Sequence, residues 1–106
     1  KILILGITFK ENCPDVRNTK VVDVISALKE YGVNVLIYDP WADEDEVFRQ
    51  YALKSTKSLP KEKFDSIVLA VSHNKFINID LSSLKKETAV IYDVKGVLGE
   101  KADKKL

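Results

Sequence analysis

Short apolar runs alternate with helical patterns along the chain, and this alternation constrains the fold more than any other feature. The predicted strands, each bounded by turn residues, are 1–9, 33–38, a brief one near Leu53, 67–71 and 88–94. The predicted helical segments between them are 19–31, 43–51, and shorter turns at 73–77 and 81–85. Such alternation is typical of right-handed βαβ units. We therefore expect a three-layer α/β/α, Rossmann-like fold with a mostly parallel sheet of about five strands.

The helix at 19–31 has the strongest pattern. Asn18 or Thr19 can cap its start, and Gly32 is placed to end it. Its apolar residues recur at helical spacing, at Val21, Val24, Ile25, Leu28 and Tyr31. By contrast, the continuous apolar run at 67–71 is typical of a parallel strand covered on both faces.

The loop after the first strand has the composition of a binding site. An apolar strand ends at Gly6, and the loop then carries Lys10, Asp15 and Arg17 to the carboxyl end of the sheet, where open α/β folds bind ligands. A lysine acts as a point charge and an arginine as a two-pronged donor, so the pair suits a phosphate or carboxylate ligand.

A dinucleotide fingerprint is absent from this loop. The residues after the first strand lack the second and third glycines that let a pyrophosphate approach a helix start. Asp39 ends the second strand where a ribose-binding acid can sit, but without those glycines we favour a turn-forming role before Pro40.

Charge and composition exclude several classes of protein. Seventeen basic and sixteen acidic residues leave a net charge of +1, which argues against nucleic acid or a membrane surface as partner. No apolar run reaches the roughly 20 residues of a membrane span, no metal-ligand spacing is visible, and one cysteine cannot form an internal disulfide.

We expect a cytoplasmic protein with one domain, residues 1–98, and a polar tail, 99–106, that frays. The absence of Met and the start at Lys1 suggest a domain of a larger protein.

Several motifs together resemble the C-terminal domain of the UDP-glucose/GDP-mannose dehydrogenases. The matching segments are GITFK at 6–10, DVR at 15–17, VLIYDP at 35–40, the strand at 67–71 leading to HNKF at 73–76, and IYDVKGVL at 91–98. The resemblance covers nearly the whole chain. It implies the C-terminal UDP-sugar-binding domain of an NAD-dependent dehydrogenase that oxidises the C6 alcohol of a nucleotide sugar to a carboxylate for polysaccharide precursor synthesis.

The resemblance also implies partners. In this family NAD is bound mainly by an N-terminal domain that also carries the catalytic cysteine, and that domain is absent from these 106 residues. The isolated chain is therefore expected to be inactive and to hold no catalytic residue and no metal. A UDP-sugar is the expected substrate, and the parent is expected to be a homodimer.

The family's binding residues carry over position by position. Phe9 and Lys10 match the Phe-Lys pair whose lysine approaches the substrate, and Arg17 matches an arginine near the cofactor phosphates. Lys95 is the third expected substrate contact, standing where glucose-specific members have arginines. This departure, with residues 11–15, is closer to the branch that acts on UDP-N-acetylhexosamines.

Two alternatives use the same residues differently. The chain could be a free-standing flavodoxin-like or receiver-type module, or a small complete enzyme with Cys13 as nucleophile and His73 as base. We favour packing for Cys13 and a structural role for His73. Trp41 and Phe76 could stack on a uracil ring, although packing is the commoner role of such aromatics.

Overall fold

The computed structural model describes residues 1–95 and 104–105, and in this part of the chain it confirms the α/β architecture. The strands are β1 (Ile2–Leu5), β2 (Val35–Tyr38), β3 (Ser55–Thr56), β4 (Phe64–Leu69), β5 (Lys85–Asp93) and β6 (Lys104–Lys105). The helices are α1 (Val21–Glu30), α2 (Glu44–Tyr51) and α3 (Asn74–Ile77), and a 3-10 turn spans Leu81–Ser83.

All six strands run parallel in one sheet, in the order β3-β2-β1-β4-β5-β6. Strand β1 is central, with Leu3 paired to Leu36 on one side and Ile67 on the other. The chain runs outward from β1 to β3 and then returns to add β4 beside β1. The carboxyl ends of β1 and β4 therefore form the topological switch point at which such sheets bind ligands.

Each face of the sheet has its own hydrophobic core. On one face, Leu3 and Leu5 pack with Phe76 of α3 and with Leu81 of the 3-10 turn. On the other face, the core includes Ile4, Ile25 of α1 and Val47 of α2. The helices on both faces complete the three layers predicted from the alternating pattern.

Not every apolar residue of the predicted helix pattern is buried. Ile25 is fully buried, but Val24 and Tyr31 are 48% and 85% exposed. Helix α1 begins at Val21, whose N–H donates to the Thr19 hydroxyl at 3.3 Å. Gly32 follows the helix in the left-handed region at φ +75°, as its position in the sequence predicts.

The strand boundaries differ from prediction in both directions. Strand β1 ends at Leu5 rather than residue 9, because Gly6 turns the chain at φ +97°. Strand β4 begins at Phe64 rather than residue 67, and Val68 is only partly buried, so one of its faces is incompletely covered. Lys104–Lys105 pairs with β5 instead of fraying. The rest of the predicted tail lies outside the described residues.

Candidate functional site

A cavity of about 370 Å³ opens beside the carboxyl ends of β1 and β4. Its apolar lining comes from α1, from the incompletely covered side of β4, and from the residues that follow β4 and β5. Those apolar residues are Val21, Val24, Val68, Ala70, Val71 and Val94. Its remaining lining comes mainly from the β1–α1 loop, residues 6–20, and comprises Thr8, Phe9, Lys10, Glu11, Asn18, Thr19, Lys20 and Lys95. The cavity thus has an apolar wall and a charged mouth.

The structure brings the three expected substrate contacts together at this mouth. Phe9 is 58% exposed, and Lys10 and Lys95 are also exposed. Lys20, which sequence reasoning missed, adds a third cation at the start of α1. We call these four residues the rim. Three ammonium groups and a helix amino terminus, against the single carboxylate of Glu11, favour an anionic ligand such as a diphosphate.

Arg17 lies outside the cavity lining. Its guanidinium pairs with the carboxylate of Asp15, with Nε and Nη2 each 3.0 Å from a carboxylate oxygen, while its side chain is 73% exposed. The hydrogen bond from Arg17 holds the pKa of Asp15 below its usual value, and the same contact raises the pKa of Arg17. The Nη1 group of Arg17 takes no part in this ion pair.

Behind the rim lies a buried polar group of three residues, Thr8, Asp39 and His73, which we call the anchor cluster. Each is at most 1% exposed. One carboxylate oxygen of Asp39 accepts from the N–H groups of Trp41 and Ala42, which is the turn-forming role predicted before Pro40. Its other oxygen accepts from Ile7 N at 2.7 Å, Thr8 N at 3.2 Å and His73 Nε2 at 3.0 Å.

These contacts favour the ionised form of Asp39 and occupy both of its carboxylate oxygens. Burial by itself raises the pKa of this carboxyl, but the hydrogen bonds from His73, Ile7 and Trp41 outweigh it and hold the pKa below its ordinary value. Five donors already occupy the two oxygens. Asp39 therefore has a structural role, and a ribose hydroxyl has no access to it.

His73 joins this cluster to the loop above it. Its Nε2 lies 3.0 Å from Asp39 Oδ2 and 3.1 Å from Thr8 Oγ1, and its Nδ1 accepts the N–H of Asn12 at 2.8 Å. Both ring nitrogens are thus engaged in a fully buried side chain. This supports the structural role predicted for His73 and leaves no nitrogen to act as a base for Cys13.

Sequence reasoning missed Asn12 and the acid partner of His73. Asn12 accepts the N–H of Asn74 through its side chain at 3.0 Å, so it connects the loop to the start of α3. His73 lies 34 residues from Asp39 and 61 from Asn12 in sequence. No local spacing pattern marks such distant pairs.

The two aromatics considered for base stacking have different environments. Phe76 is fully buried in the core, so its role is packing and it cannot stack on a ligand. Trp41 is 41% exposed and borders a separate groove with Asn12, Pro40, Asn74 and Lys75. Cys13 is partly exposed and reduced, outside the cavity lining.

Among the described residues, no group of three or more His, Cys, Asp or Glu side chains is arranged to hold a metal ion. Within the same part of the chain, no helix has the length and apolarity needed to cross a membrane.

Comparison with known proteins places the chain in a family. The sequence profile described as "UDP-glucose/GDP-mannose dehydrogenase family, UDP binding domain" matches residues 3–100. A UDP-N-acetyl-D-glucosamine 6-dehydrogenase of Salmonella typhi is 42% identical over 99% of this chain, and one of Pseudomonas aeruginosa is 40% identical over all of it. The chain spans about a quarter of each relative's length, 26% in both.

A solved structure shows the same fold. The UDP-N-acetyl-mannosamine dehydrogenase of S. aureus superposes with a TM-score of 0.74 at 21% identity, covering 98% of this chain and 25% of that one. These matches give no support to a free-standing flavodoxin-like or receiver-type module. The chain belongs to the UDP-glucose/GDP-mannose dehydrogenase family, as its UDP binding domain.

Proposed function

We propose that the chain binds the substrate of a longer NAD-dependent UDP-sugar 6-dehydrogenase in the cavity beside β1 and β4. The observation that carries the proposal is the convergence of Phe9, Lys10 and Lys95 on one cavity of about 370 Å³. The volume lies within the range typical of small-molecule sites. The family description of a UDP binding domain supports the same ligand class.

Each rim residue has a role that suits its chemistry. Lys10 and Lys95 donate to the diphosphate or to sugar hydroxyls, and Phe9 supplies an exposed aromatic surface for the nucleotide. Arg17, outside the cavity, serves the phosphates of NAD held mainly by the N-terminal domain of the same parent chain. Its free Nη1 and high exposure suit an anion approaching from another domain.

The complete reaction needs more than this domain. Oxidation of a C6 alcohol to a carboxylate removes four electrons and adds one oxygen atom from water; NAD bound by the rest of the longer protein would accept the electrons as two hydrides, one per NAD molecule. None of the residues assigned here takes part in bond making, so the isolated chain binds substrate without turnover. The parent is proposed to be a cytoplasmic homodimer supplying precursors for polysaccharide synthesis.

The substrate sugar is proposed to be an N-acetylhexosamine. The two relatives cited above are both named as UDP-N-acetyl-D-glucosamine 6-dehydrogenases. Lys95 follows Asp93 and Val94 at the end of β5, so it lies beside the cavity where the sugar end of the ligand can reach it.

The test is an NMR titration of the 106-residue chain with UDP, UDP-N-acetylglucosamine, UDP-glucose and GDP-mannose. We expect the amides of Phe9, Lys10 and Lys95 to shift with the UDP ligands and least with GDP-mannose. The N-acetylated sugar should cause larger shifts near Lys95 than UDP alone. Shifts scattered away from the rim at saturating ligand would contradict the proposed site.

A further inference from the structure

We propose that His73 is a positioning residue with a different task at each ring nitrogen. Its Nε2 end stabilises the fold through Asp39, and its Nδ1 end holds the β1–α1 loop, through Asn12, in the conformation that presents Phe9 and Lys10 to the ligand. The effect on ligand affinity rests on the proposed function. The loop contact itself does not depend on any ligand.

The hydrogen bonds define the protonation of the ring. A backbone N–H can only donate, so the contact from Asn12 N requires an unprotonated Nδ1. The neutral ring then carries its proton on Nε2, within reach of Asp39 Oδ2 and Thr8 Oγ1. The Thr8 hydroxyl donates a hydrogen bond to the carbonyl oxygen of Lys10 at 3.0 Å. The cluster therefore ends directly on the backbone of a rim residue.

Asn12 needs an external partner to keep its conformation. Its φ of 55° lies in the left-handed region, which costs a non-glycine residue free energy although asparagine tolerates it better than most. Two contacts hold it there: its N–H donates to His73 Nδ1, and its side-chain oxygen accepts from Asn74 N. His73 ends the β4–α3 connection and Asn74 begins α3, so the loop is fastened to a separate part of the fold.

The loop between the fastened points is itself closed. The N–H of Phe9 donates to the carbonyl of Asp15 at 2.7 Å, which draws the two ends of the segment together. Phe9 is 58% exposed while His73 is fully buried. The ligand-contacting side chains thus project from a segment held by buried groups. Such preorganisation lowers the ordering cost of binding.

Two substitutions separate the tasks of the ring. The His73→Gln side chain can place an N–H donor near the position of Nε2, towards Asp39, but offers no acceptor to Asn12. The shorter His73→Asn side chain can place an oxygen acceptor near the position of Nδ1, but leaves Asp39 without that donor. Each variant therefore keeps one contact and removes the other.

The experiment measures urea unfolding and UDP affinity for the 106-residue chain and both variants. We expect His73→Gln to keep more of the stability but to bind UDP about three- to tenfold more weakly, the range for one lost hydrogen bond. His73→Asn should lose more stability, yet while folded its affinity for UDP should stay within about twofold of that of the unsubstituted 106-residue chain. Parallel losses of stability and affinity in both variants would overturn the proposal, because they would show that His73 acts on the fold alone.

A ligand-free measurement distinguishes failure of this proposal from failure of the proposed function. In the unsubstituted chain, a 15N–15N coupling across the hydrogen bond should connect Asn12 N with His73 Nδ1. Hydrogen exchange at the Asn12 amide should be faster in His73→Gln than in the unsubstituted chain. Absence of the coupling, or unchanged exchange, would reject the loop contact. A clear coupling with no UDP binding would confirm the contact and reject the ligand role.

A further variant covers the case in which His73→Asn does not fold. Asn12→Gly keeps the backbone N–H and tolerates the positive φ, but it removes the side-chain oxygen that accepts from Asn74. We expect it to bind UDP more tightly than His73→Gln, since the contact to Nδ1 remains. Weaker binding by Asn12→Gly than by His73→Gln would contradict the role assigned to Nδ1.

Discussion

The anchor cluster and the rim meet at the β1–α1 loop but differ in almost every physical property. Thr8, Asp39 and His73 are at most 1% exposed and hydrogen bonded to one another. The two residues that follow Thr8 in the chain, Phe9 and Lys10, are exposed. The anchor cluster fixes the backbone conformation of the loop, whereas the rim supplies the side chains that face a ligand. Stability and binding should therefore respond to different substitutions.

The largest expected effect is that of Asp39→Asn. The substitution keeps the shape of the side chain but replaces one acceptor oxygen by an N–H₂ donor that faces other donors. We expect the free energy of unfolding to fall by about 3 kcal/mol, since a buried charge-assisted network loses a partner. Urea denaturation measures this loss. Asp15→Asn, at a partly exposed carboxylate of the β1–α1 loop, is the matched control and should leave the midpoint unchanged.

Gly6→Ala should have the next largest effect, since Gly6 turns the chain into the anchor cluster. A Cβ at Gly6 would lie 2.6 Å from the Cβ of Val71, and φ is +97°. We expect a loss of about 2 kcal/mol or more from strain and overlap. Gly32→Ala is the control, because φ there is +75° but nothing lies within 4 Å; thermal unfolding should show a loss of about 1 kcal/mol. Equal losses at both glycines would contradict the close approach at Gly6.

The pH dependence of stability should also come from the anchor cluster. The folded pKa of Asp39 lies below its ordinary value of 3.8, so its ionised form stabilises the fold. This contribution is fully present above about pH 5 and is lost as pH falls through 3.8 towards the folded pKa. The difference in the free energy of unfolding between the unsubstituted 106-residue chain and Asp39→Asn should therefore shrink on acidification. A constant difference from neutral to acid pH would mean that Asp39 is not the titrating group.

Arg17→Ala should have the smallest effect on the fold. Arg17 is 73% exposed, and its ion pair with Asp15 is open to solvent and screened by salt. We expect no measurable change in unfolding. In the full-length chain, the KM for NAD should rise more than the KM for the UDP-sugar. A selective rise in the sugar KM would move Arg17 from the cofactor to the substrate.

The sequence predicted the elements of the fold better than their ends. The spacing of Ile25 and its neighbours identified α1, because helix period is a local property. The helical segment predicted at 43–51 matches α2, Glu44–Tyr51. The end of β1 was misplaced by four residues, since the positive φ of Gly6 ends the strand there and the apolar pattern does not reveal it. Coverage of β4 was overestimated because an apolar run does not reveal which helix packs against it.

For the site, the sequence predicted three of the four rim residues and missed much of what supports them. Phe9, Lys10 and Lys95 follow strand ends, and parallel strands bring their carboxyl ends to one edge. The supporting contact between His73 and Asn12 joins residues 61 positions apart and involves a backbone N–H, which leaves no trace in residue type. Lys20 was detectable in principle, since it immediately precedes α1 at the same edge.

The most direct test of the account is to measure both unfolding and UDP affinity for Lys10→Ala, with Lys63→Ala as control. Lys63 is exposed at the opposite edge of the sheet, just before β4. The account predicts unchanged unfolding in both variants and UDP binding about tenfold weaker only in Lys10→Ala, as expected for a lost charge-assisted hydrogen bond. Equal UDP affinity in the two variants, or a loss of stability specific to Lys10→Ala, would contradict the division between a buried anchor and a binding rim.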